Sequence, residues 1–310
     1  MSGLRFQLFG KFLVLRDGCE LRGLDACKER ELLTYLIAHR DRPHARESLA
    51  SLLWPNTSTE RSKKYLRQAL WHLVSTLSKQ PESAQQLLQV DHDWVQLNLS
   101  GDIWADIALF DRAFTMVQGV AGRQLDHHQV NLLKEAVNIY VGDFLEGWYQ
   151  DWCLFERERL QNAYLYMLDK LMDRATEDEE YEAGRAYGAK ILSYDRASER
   201  TYRRLMRLLY RAGDRTGALR QYQRCAIALR EELGVRPERR TRQLYEQLKV
   251  EEPGNDSGAV DIEAGLNYKT ALPDVLGRLK RLHSVLIAVQ NRVHRDINAV
   301  EQVLKTKTTK

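Results

Sequence analysis

The sequence lacks the features that mark membrane proteins and secreted proteins. No stretch approaches the roughly 18 consecutive apolar residues that a membrane-spanning helix requires. The apolar residues near the N-terminus are not followed by the small residues of a signal-peptide cleavage site. We therefore expect a cytoplasmic protein with no membrane partner.

Paired metal ligands and a disulfide framework are also missing. The four cysteines, Cys19, Cys27, Cys153 and Cys225, are too widely spaced for the paired ligands of a structural zinc site. A chain of 310 residues can bury a core large enough to fold without disulfides. We therefore predict reduced thiols, no metal site and no other cofactor.

The chain contains none of the common sequence motifs of enzymes. It has no Walker phosphate loop, no GxGxxG, no GxSxG and no HExxH. Its 47 Lys and Arg against 43 Asp and Glu give a net charge of only +4, so any surface that binds a polyanion must be local. We predict no catalytic residues and no enzymatic activity.

The N-terminal region is predicted to form a small sheet, three helices and a hairpin, in that order. Apolar and polar residues alternate over residues 4–14, which is typical of antiparallel strands. Leucines at helical spacing predict short helices over residues 28–39 and around 49–54, and a capping-box pattern starts a third helix near Ser58. Residues 87–97 alternate again around a polar tip and predict the hairpin.

The third helix is predicted to have an apolar face and a basic face. The apolar stripe consists of Leu66, Leu70, Leu73, Val74 and Leu77. The side chains on the remaining faces are Lys63, Lys64, Arg67, Gln68, Trp71 and His72. Charge alone is more typical of a solvated face, but a third helix that lies between a helical pair and a hairpin is suited to the major groove of DNA.

Each of these side chains has a predicted role on DNA. Lys63, Lys64 and Arg46 are expected to contact phosphates. The side chains expected to read base edges are Arg67, Gln68 and His72. Two interpretations remain for Trp71: it contacts the sugar-phosphate backbone or it seals a domain interface, and we favour the interface.

Residues 106–248 are predicted to be almost entirely helical and to contain an internal repeat. A small residue and an aromatic residue four positions apart occur at Ala183 and Tyr187 and again, 35 residues later, at Ala218 and Tyr222. This offset is close to the roughly 34-residue tetratricopeptide period. The pattern predicts stacked helix pairs.

Two clusters in the helical region allow both a functional and a structural interpretation. Arginines at steps of three and four form a stripe at Arg200, Arg204, Arg207 and Arg211. The stripe could bind nucleic acid, an anionic ligand or an acidic partner, but we favour solvated charge paired locally with Glu199, Asp195 and Asp214. The aromatic cluster is Tyr140, Phe144, Trp148, Tyr149, Trp152 and Phe155. It is expected to be core or domain interface rather than a ligand pocket.

The C-terminal part is predicted to be a linker over residues 251–270 and an amphipathic helix over residues 271–310. The stripe of this helix includes Leu279, Leu282, Leu286, Val289, Val293 and Val300. A stripe this long needs a cover. A homodimeric coiled coil is favoured, and docking on the chain's own helices or on another protein remains open.

Several motifs of the chain occur together in one known family. In the first domain they are Leu4-Arg5-Phe6, Leu8-Phe9-Gly10, Leu52-Leu53-Trp54-Pro55 and Leu66-Arg67-Gln68-Ala69-Leu70. In the second they are Gly142-Asp143-Phe144-Leu145, Glu156-Arg157-Glu158-Arg159-Leu160 and Glu232-Leu233-Gly234-Val235. With these motifs in this order, the chain resembles the bacterial transcriptional activators of the Streptomyces antibiotic regulatory protein type.

The resemblance implies a mainly α fold with a defined domain order. An OmpR-like winged helix with small β-sheets would occupy residues 1–102, and a tetratricopeptide-like bacterial transcriptional activation domain residues 103–250. It also implies an activator that binds direct repeats in double-stranded DNA and contacts RNA polymerase, including its sigma subunit. The chain departs from the family at His44-Ala45, which gives the second helix a poor cap, and at the hairpin tip, where Asp91 and Asp93 replace a basic residue.

A second function class remains open at this point. The chain could be a helical-repeat interaction protein or a ligand sensor, whose repeats bind a peptide, a small messenger or a partner protein. Binding to DNA weakens steeply as salt rises, whereas binding to an apolar peptide groove does not. The salt dependence of binding therefore separates the two classes.

Overall fold

The structure is a computed structural model that describes residues 3–24, 27–77, 87–99 and 103–250. The predicted linker over 251–270 and the predicted helix over 271–310, with all of its proposed oligomerisation residues, lie outside the described residues. The coiled-coil homodimer therefore stays a prediction.

The chain begins with a four-stranded sheet. Strands β1 (Leu4–Gln7), β2 (Leu13–Arg16) and β3 (Cys19–Glu20) are antiparallel, as the alternation predicts. A fourth strand, β7 (Ile103–Ala105), pairs in parallel with β1. Sequence reasoning missed β7, which lies beyond the predicted domain boundary at 102. A strand at the start of the second predicted domain therefore completes the sheet of the first.

Three helices and a second small sheet complete the winged helix. The helices are α1 (Cys27–Ala38), α2 (Arg46–Leu53) and α3 (Thr59–Leu77), with α3 starting one residue after the predicted position. The second sheet has the order β4 (His44–Ala45), β6 (Trp94–Leu97) and β5 (Leu88–Val90). Ala45 precedes α2 without a side-chain cap, which confirms that prediction. The hairpin β5–β6 is the wing.

The remaining helices form the second region, which also contains a short 3₁₀ helix (Gly122–Gln124). They are α4 (Asp106–Met116), α5 (His127–Ile139), α6 (Asp151–Glu177), α7 (Tyr181–Tyr194), α8 (Glu199–Arg211), α9 (Arg215–Leu233) and α10 (Arg239–Val250). Neighbouring helices pack as pairs, and the two copies of the repeat lie on α7 and α9, each the second helix of its pair. This confirms the tetratricopeptide-like prediction.

The two predicted domains share one hydrophobic core and belong to one compact unit over residues 1–251. Their family motifs contact each other directly. The Gly10 N–H donates to the Asp143 carbonyl at 2.8 Å, and the Leu145 N–H donates to the Leu8 carbonyl at 2.8 Å. The ring of Phe9 packs between the two regions, 5.0 Å from that of Phe110. The boundary after residue 102 therefore does not separate two cores.

A buried carboxylate reinforces this junction. Asp106, the first residue of α4, accepts the backbone N–H groups of Leu8 at 2.6 Å, Phe9 at 2.9 Å and Ile107 at 2.7 Å. Burial raises the pKa of the Asp106 carboxyl to about 6, against the opposing effect of these hydrogen bonds. The end of β1 is thereby fixed to the start of the helical region.

The aromatic cluster divides between core and surface. The rings of Tyr140, Phe144 and Trp152 are buried in the shared core, as predicted. The prediction is wrong for Tyr149 and Phe155, which are 77% and 71% exposed. Both flank the N-terminus of α6 on its solvent side, where periodicity alone does not distinguish an aromatic core residue from an aromatic surface residue.

Candidate nucleic-acid interface

Helix α3 is held against the first two helices by its apolar stripe. It packs on both α1 and α2, and Leu66, Leu70 and Leu73 are almost completely buried there. The turn between α2 and α3 begins where the Trp54 N–H donates to the Ala50 carbonyl at 3.0 Å. The predicted stripe is confirmed, so the opposite side of α3 is fixed in direction and faces solvent.

The solvent side of α3 presents four predicted DNA-binding side chains together. Lys64, Arg67, Gln68 and Trp71 are all exposed. Their spacing of three, four and seven residues places them on one side of the helix, opposite the buried leucines. We call these four residues the α3 face. Of the predicted set, Lys63 lies at the edge of this face towards α2, and the exposed His72 lies at its other edge.

Trp71 corrects one expectation from the sequence. Its side chain is 67% exposed and its ring centroid lies 5.1 Å from that of His72, its neighbour in sequence. An indole that sealed a domain interface would be buried, so Trp71 does not seal an interface between described parts of the chain. Its position on the α3 face leaves the indole available for a contact outside the protein.

The two lysines of α3 have different surroundings. The Lys63 ammonium pairs with Glu47 of α2 at 2.5 Å, between side chains that are 45% and 75% exposed. Lys64 has no carboxylate partner within the described part of the chain. Glu47 lies 16 residues before Lys63, and no local pattern in the sequence reveals the pair. The positive charge of the α3 face therefore comes mainly from Lys64 and Arg67.

Arg46 connects α2 to the wing. Its guanidinium donates to the Asp91 carbonyl at 3.0 Å, and its backbone N–H donates to the Asp93 carbonyl at 2.9 Å. The structure therefore places this predicted phosphate contact beside the wing tip, which it holds. Asp91, His92 and Asp93 are all exposed, so the tip is acidic, as the sequence indicates.

Two histidines, His39 and His44, lie close together before α2, with ring centroids 6.1 Å apart. His44 is buried in β4, and its Nε2 lies 2.8 Å from the His39 carbonyl oxygen. Burial lowers the pKa of His39, although Glu156 opposes this shift. A pKa below the ordinary histidine value of about 6.5 leaves His39 mainly neutral at pH 7.

The arginine stripe of α8 has a different environment. Arg204 pairs with both Asp169 and Asp173 of α6, and Arg200 pairs with Asp169 at 3.0 Å. Burial raises the pKa of Asp173, and the neighbouring Arg204 opposes that shift. Arg200 and Arg204 of the predicted anion site are therefore already paired with carboxylates of α6. Arg207 and Arg211 are exposed on the same helix.

The local partners predicted for this stripe are largely wrong. Of the three predicted acids, Glu199 pairs with Arg203 at 3.5 Å. Asp214 instead caps α9 by accepting the Gly217 N–H at 2.7 Å. The main partners, Asp169 and Asp173, come from a helix about 30 residues earlier in the chain. The sequence predicts solvated arginines with local partners, whereas the structure shows ion pairs between α8 and α6.

The described residues contain no group of three or more His, Cys, Asp or Glu side chains that could hold a metal ion. The four cysteines are unpaired thiols, two exposed and two buried. Burial raises the pKa of Cys153 to about 11 and that of Cys225 to about 12. Across the described ranges, no helix is long and apolar enough to cross a membrane.

Comparison with known proteins identifies the helical region. Residues 105–249 match the family model of the bacterial transcriptional activator domain, which covers α4 to α10. A search of curated proteins finds no match. Among solved structures, the chain is similar to EmbR of Mycobacterium tuberculosis, determined in complex with a low-affinity phosphopeptide.

The structural similarity extends over the winged helix as well. The match has a TM-score of 0.61 at 19% sequence identity and covers 82% of this chain and 67% of EmbR, so it establishes the fold. The order of a winged helix followed by a tetratricopeptide-like region is confirmed. Residues 105–249 are therefore similar to the bacterial transcriptional activator domain and follow a winged helix. The predicted resemblance to the transcriptional regulators of the Streptomyces antibiotic regulatory protein type is confirmed.

Proposed function

We propose that this chain is a sequence-specific DNA-binding transcriptional regulator whose α3 enters the major groove. The observation that carries the proposal is the α3 face, which projects from a helix fixed by its buried leucines. Neither Lys64 nor Arg67 has a carboxylate partner within the described ranges. A rigid helix with unneutralised cations, an amide and an aromatic ring on one side matches what the major groove accepts.

The members of the α3 face differ in what they can recognise. Arg67 can donate two parallel hydrogen bonds to O6 and N7 of guanine, and Gln68 can bond N6 and N7 of adenine. Lys64 contacts phosphate as a point charge and positions the helix. His72 reads a base edge from the side of the face. Trp71, exposed between these polar groups, contacts the sugar-phosphate backbone.

Residues around α3 fix its approach to the duplex. Arg46 holds the wing tip through one hydrogen bond of its guanidinium and keeps further N–H donors for a phosphate. Lys63 makes a weaker phosphate contact than Lys64 because Glu47 already neutralises part of its charge. The acidic wing tip does not insert into the minor groove, since Asp91 and Asp93 would be repelled by phosphates.

The helical region supplies the link to transcription. By the family resemblance, the protein acts as an activator at direct repeats near a promoter and contacts RNA polymerase, including its sigma subunit. The shared core makes the winged helix and this region one body. An α3 bound in the groove therefore also fixes the orientation of the helical region relative to the promoter.

Genome-wide DNA occupancy of the tagged full-length protein tests this function. We expect a limited set of promoter-proximal sites that share one motif, and loss of these sites in the variant Lys64→Ala/Arg67→Ala. Arg200→Ala, which removes an exposed arginine from α8, is the control and should keep them. Occupancy without a shared motif, or occupancy that survives the α3 variant, would favour the alternative of a helical-repeat interaction protein.

A further inference from the structure

A second exposed basic surface lies on α9, far from α3 in sequence. Arg220, Arg224 and Arg230 surround Ile227 on the solvent side of this helix. Steps of three and four residues bring the three arginines around the isoleucine. The Ile227 side chain is 46% exposed. We call these four residues the α9 face.

The acidic residues of α9 are already occupied. Glu231 and Glu232 are the only carboxylates of this helix, and both are engaged by Arg196 from the turn before α8, at 2.9 Å and 3.9 Å. Within the described residues, Arg220, Arg224 and Arg230 form no ion pair with a carboxylate. The arginines of α8 behave differently, since Arg200 and Arg204 pair with α6.

We infer that the α9 face is a docking surface for an acidic segment of a partner protein that covers Ile227 with an apolar side chain. The three exposed arginines offer positive charge to an acidic segment, and the half-exposed isoleucine at their centre offers an apolar contact. Compared with the rest of the protein surface, protein–protein interfaces are enriched in arginine and depleted in lysine, and their centres are more apolar. This inference does not depend on DNA recognition by α3.

The composition of the face favours an acidic protein over nucleic acid. Phosphates would satisfy the arginines but would leave Ile227 against a polar, hydrated backbone. An acidic amphipathic segment satisfies both, because carboxylates and an apolar side chain can alternate along it. Gln223, exposed beside Ile227, adds a side chain that can bond the backbone of such a segment.

The test uses the full-length protein and three fluorescent probes in anisotropy titrations. The first probe is a short glutamate-rich peptide with leucines four positions apart, and the second is the same peptide with serine in place of leucine. The third is a DNA duplex of random sequence. The variants are Arg220→Ala/Arg224→Ala/Arg230→Ala and Ile227→Ser. A variant with the same loss of charge, Lys11→Ala/Arg112→Ala/Lys190→Ala, removes exposed cations elsewhere and is the matched control.

The expected result separates charge from apolar contact. The triple arginine variant should lose about tenfold in affinity for both peptides, as expected for three exposed ion pairs. Ile227→Ser should weaken only the leucine peptide, by several-fold, and the control should bind all probes as the unmodified protein does. Because all substitutions lie on exposed helix or loop positions, circular dichroism should report unchanged folding.

Four outcomes would overturn the inference. The unmodified protein could fail to bind the leucine peptide, or the triple arginine variant could bind it no more weakly than the control variant does. The triple variant could instead lose affinity for the duplex alone, which would assign the α9 face to DNA. An equal effect of Ile227→Ser on both peptides would remove the apolar contact from the proposal.

Discussion

Helices α3 and α8 have a similar spacing of positively charged residues, but these residues have different surroundings. Each carries several cations at steps of three and four residues, and each was a candidate for binding an anion. In the structure, the α3 face points to solvent, whereas Arg200 and Arg204 of α8 meet carboxylates of α6. The same spacing of cations therefore leaves the side chains of α3 available to a partner, whereas in α8 it places arginines in ion pairs with α6.

Unpaired charge, rather than charge density, therefore marks a binding surface. An arginine held by two carboxylates has little to gain from phosphate, because it must first give up its ion pairs. Lys63 illustrates the intermediate case on α3 itself, since Glu47 holds it while Lys64 stays without a carboxylate.

The largest effect is expected from cutting the two regions apart. A fragment of residues 1–102 keeps α3 but lacks β7, the hydrogen bonds of Asp106 and the Phe110 ring. We expect it to show no cooperative thermal unfolding, whereas a fragment of residues 1–251, the complete compact unit, unfolds cooperatively. A 1–102 fragment as stable as the 1–251 fragment would show that α3 does not depend on the helical region.

Removing Arg204 should cost stability rather than DNA affinity. Its side chain is 20% exposed and pairs with Asp169 and Asp173, so Arg204→Ala removes the ion pair of Asp173 and leaves Asp169 paired only with the exposed Arg200. We expect a loss of about 2–3 kcal/mol in the free energy of unfolding by urea, between the values for buried and exposed pairs. Arg200→Ala is the control, because Arg200 is 65% exposed and should cost less than about 1 kcal/mol. Equal losses would mean that burial does not decide the strength of these pairs.

Removing Arg67 should cost DNA affinity and leave the stability of the protein nearly unchanged. Arg67→Ala is expected to weaken binding to the preferred DNA site by about 1–3 kcal/mol and to relax the preference at one base position. The free energy of unfolding should stay within about 0.5 kcal/mol, because the side chain is exposed. Affinities for a set of single-base variants of the site provide the measurement. Uniform weakening on every sequence would reassign Arg67 to a phosphate.

The stability loss of Arg204→Ala should depend on pH. Without Arg204, the pKa of Asp173, already raised by burial, rises further above its unfolded value. When the pKa of a carboxyl is higher in the folded state than in the unfolded state, the free energy of unfolding of the protein falls as the pH rises through the folded-state pKa. Below the unfolded-state pKa this destabilisation is absent. The difference in unfolding free energy between wild type and variant should therefore grow from pH 4 to pH 7. A difference that is constant over this range would exclude Asp173 as the source.

The smallest effect distinguishes the two lysines of α3. Lys64→Ala should make the fall of log affinity with log salt less steep, reducing the magnitude of the slope by about 0.9, the value for one phosphate contact. Lys63→Ala should reduce the slope less, because Glu47 already neutralises part of its charge. Glu47→Gln should strengthen binding if Lys63 is released towards the phosphate. Equal slopes for the two lysine variants would show that the ion pair with Glu47 does not persist on DNA.

The sequence predicts helix faces well because burial repeats with the helical period. This period predicts the stripe of α3. The wing is predicted instead from the alternation of apolar and polar residues, and the helix pairs that contain α7 and α9 from the 35-residue repeat. The contacts between distant segments were not, since β7, the partner Asp169 and the pair of Lys63 with Glu47 join residues that no local pattern connects. Trp71 was misjudged for a related reason, because an aromatic residue carries no sequence mark for exposure.

Selection of bound sequences from a random DNA pool tests whether α3 reads DNA. The full-length protein should enrich one motif, the variant Lys64→Ala/Arg67→Ala/Gln68→Ala should enrich none, and the α8 variant Arg200→Ala should enrich the same motif as the unmodified protein. If the α3 variant selected the unchanged motif, or if the unmodified protein selected no motif at all, α3 would not be the helix that reads DNA.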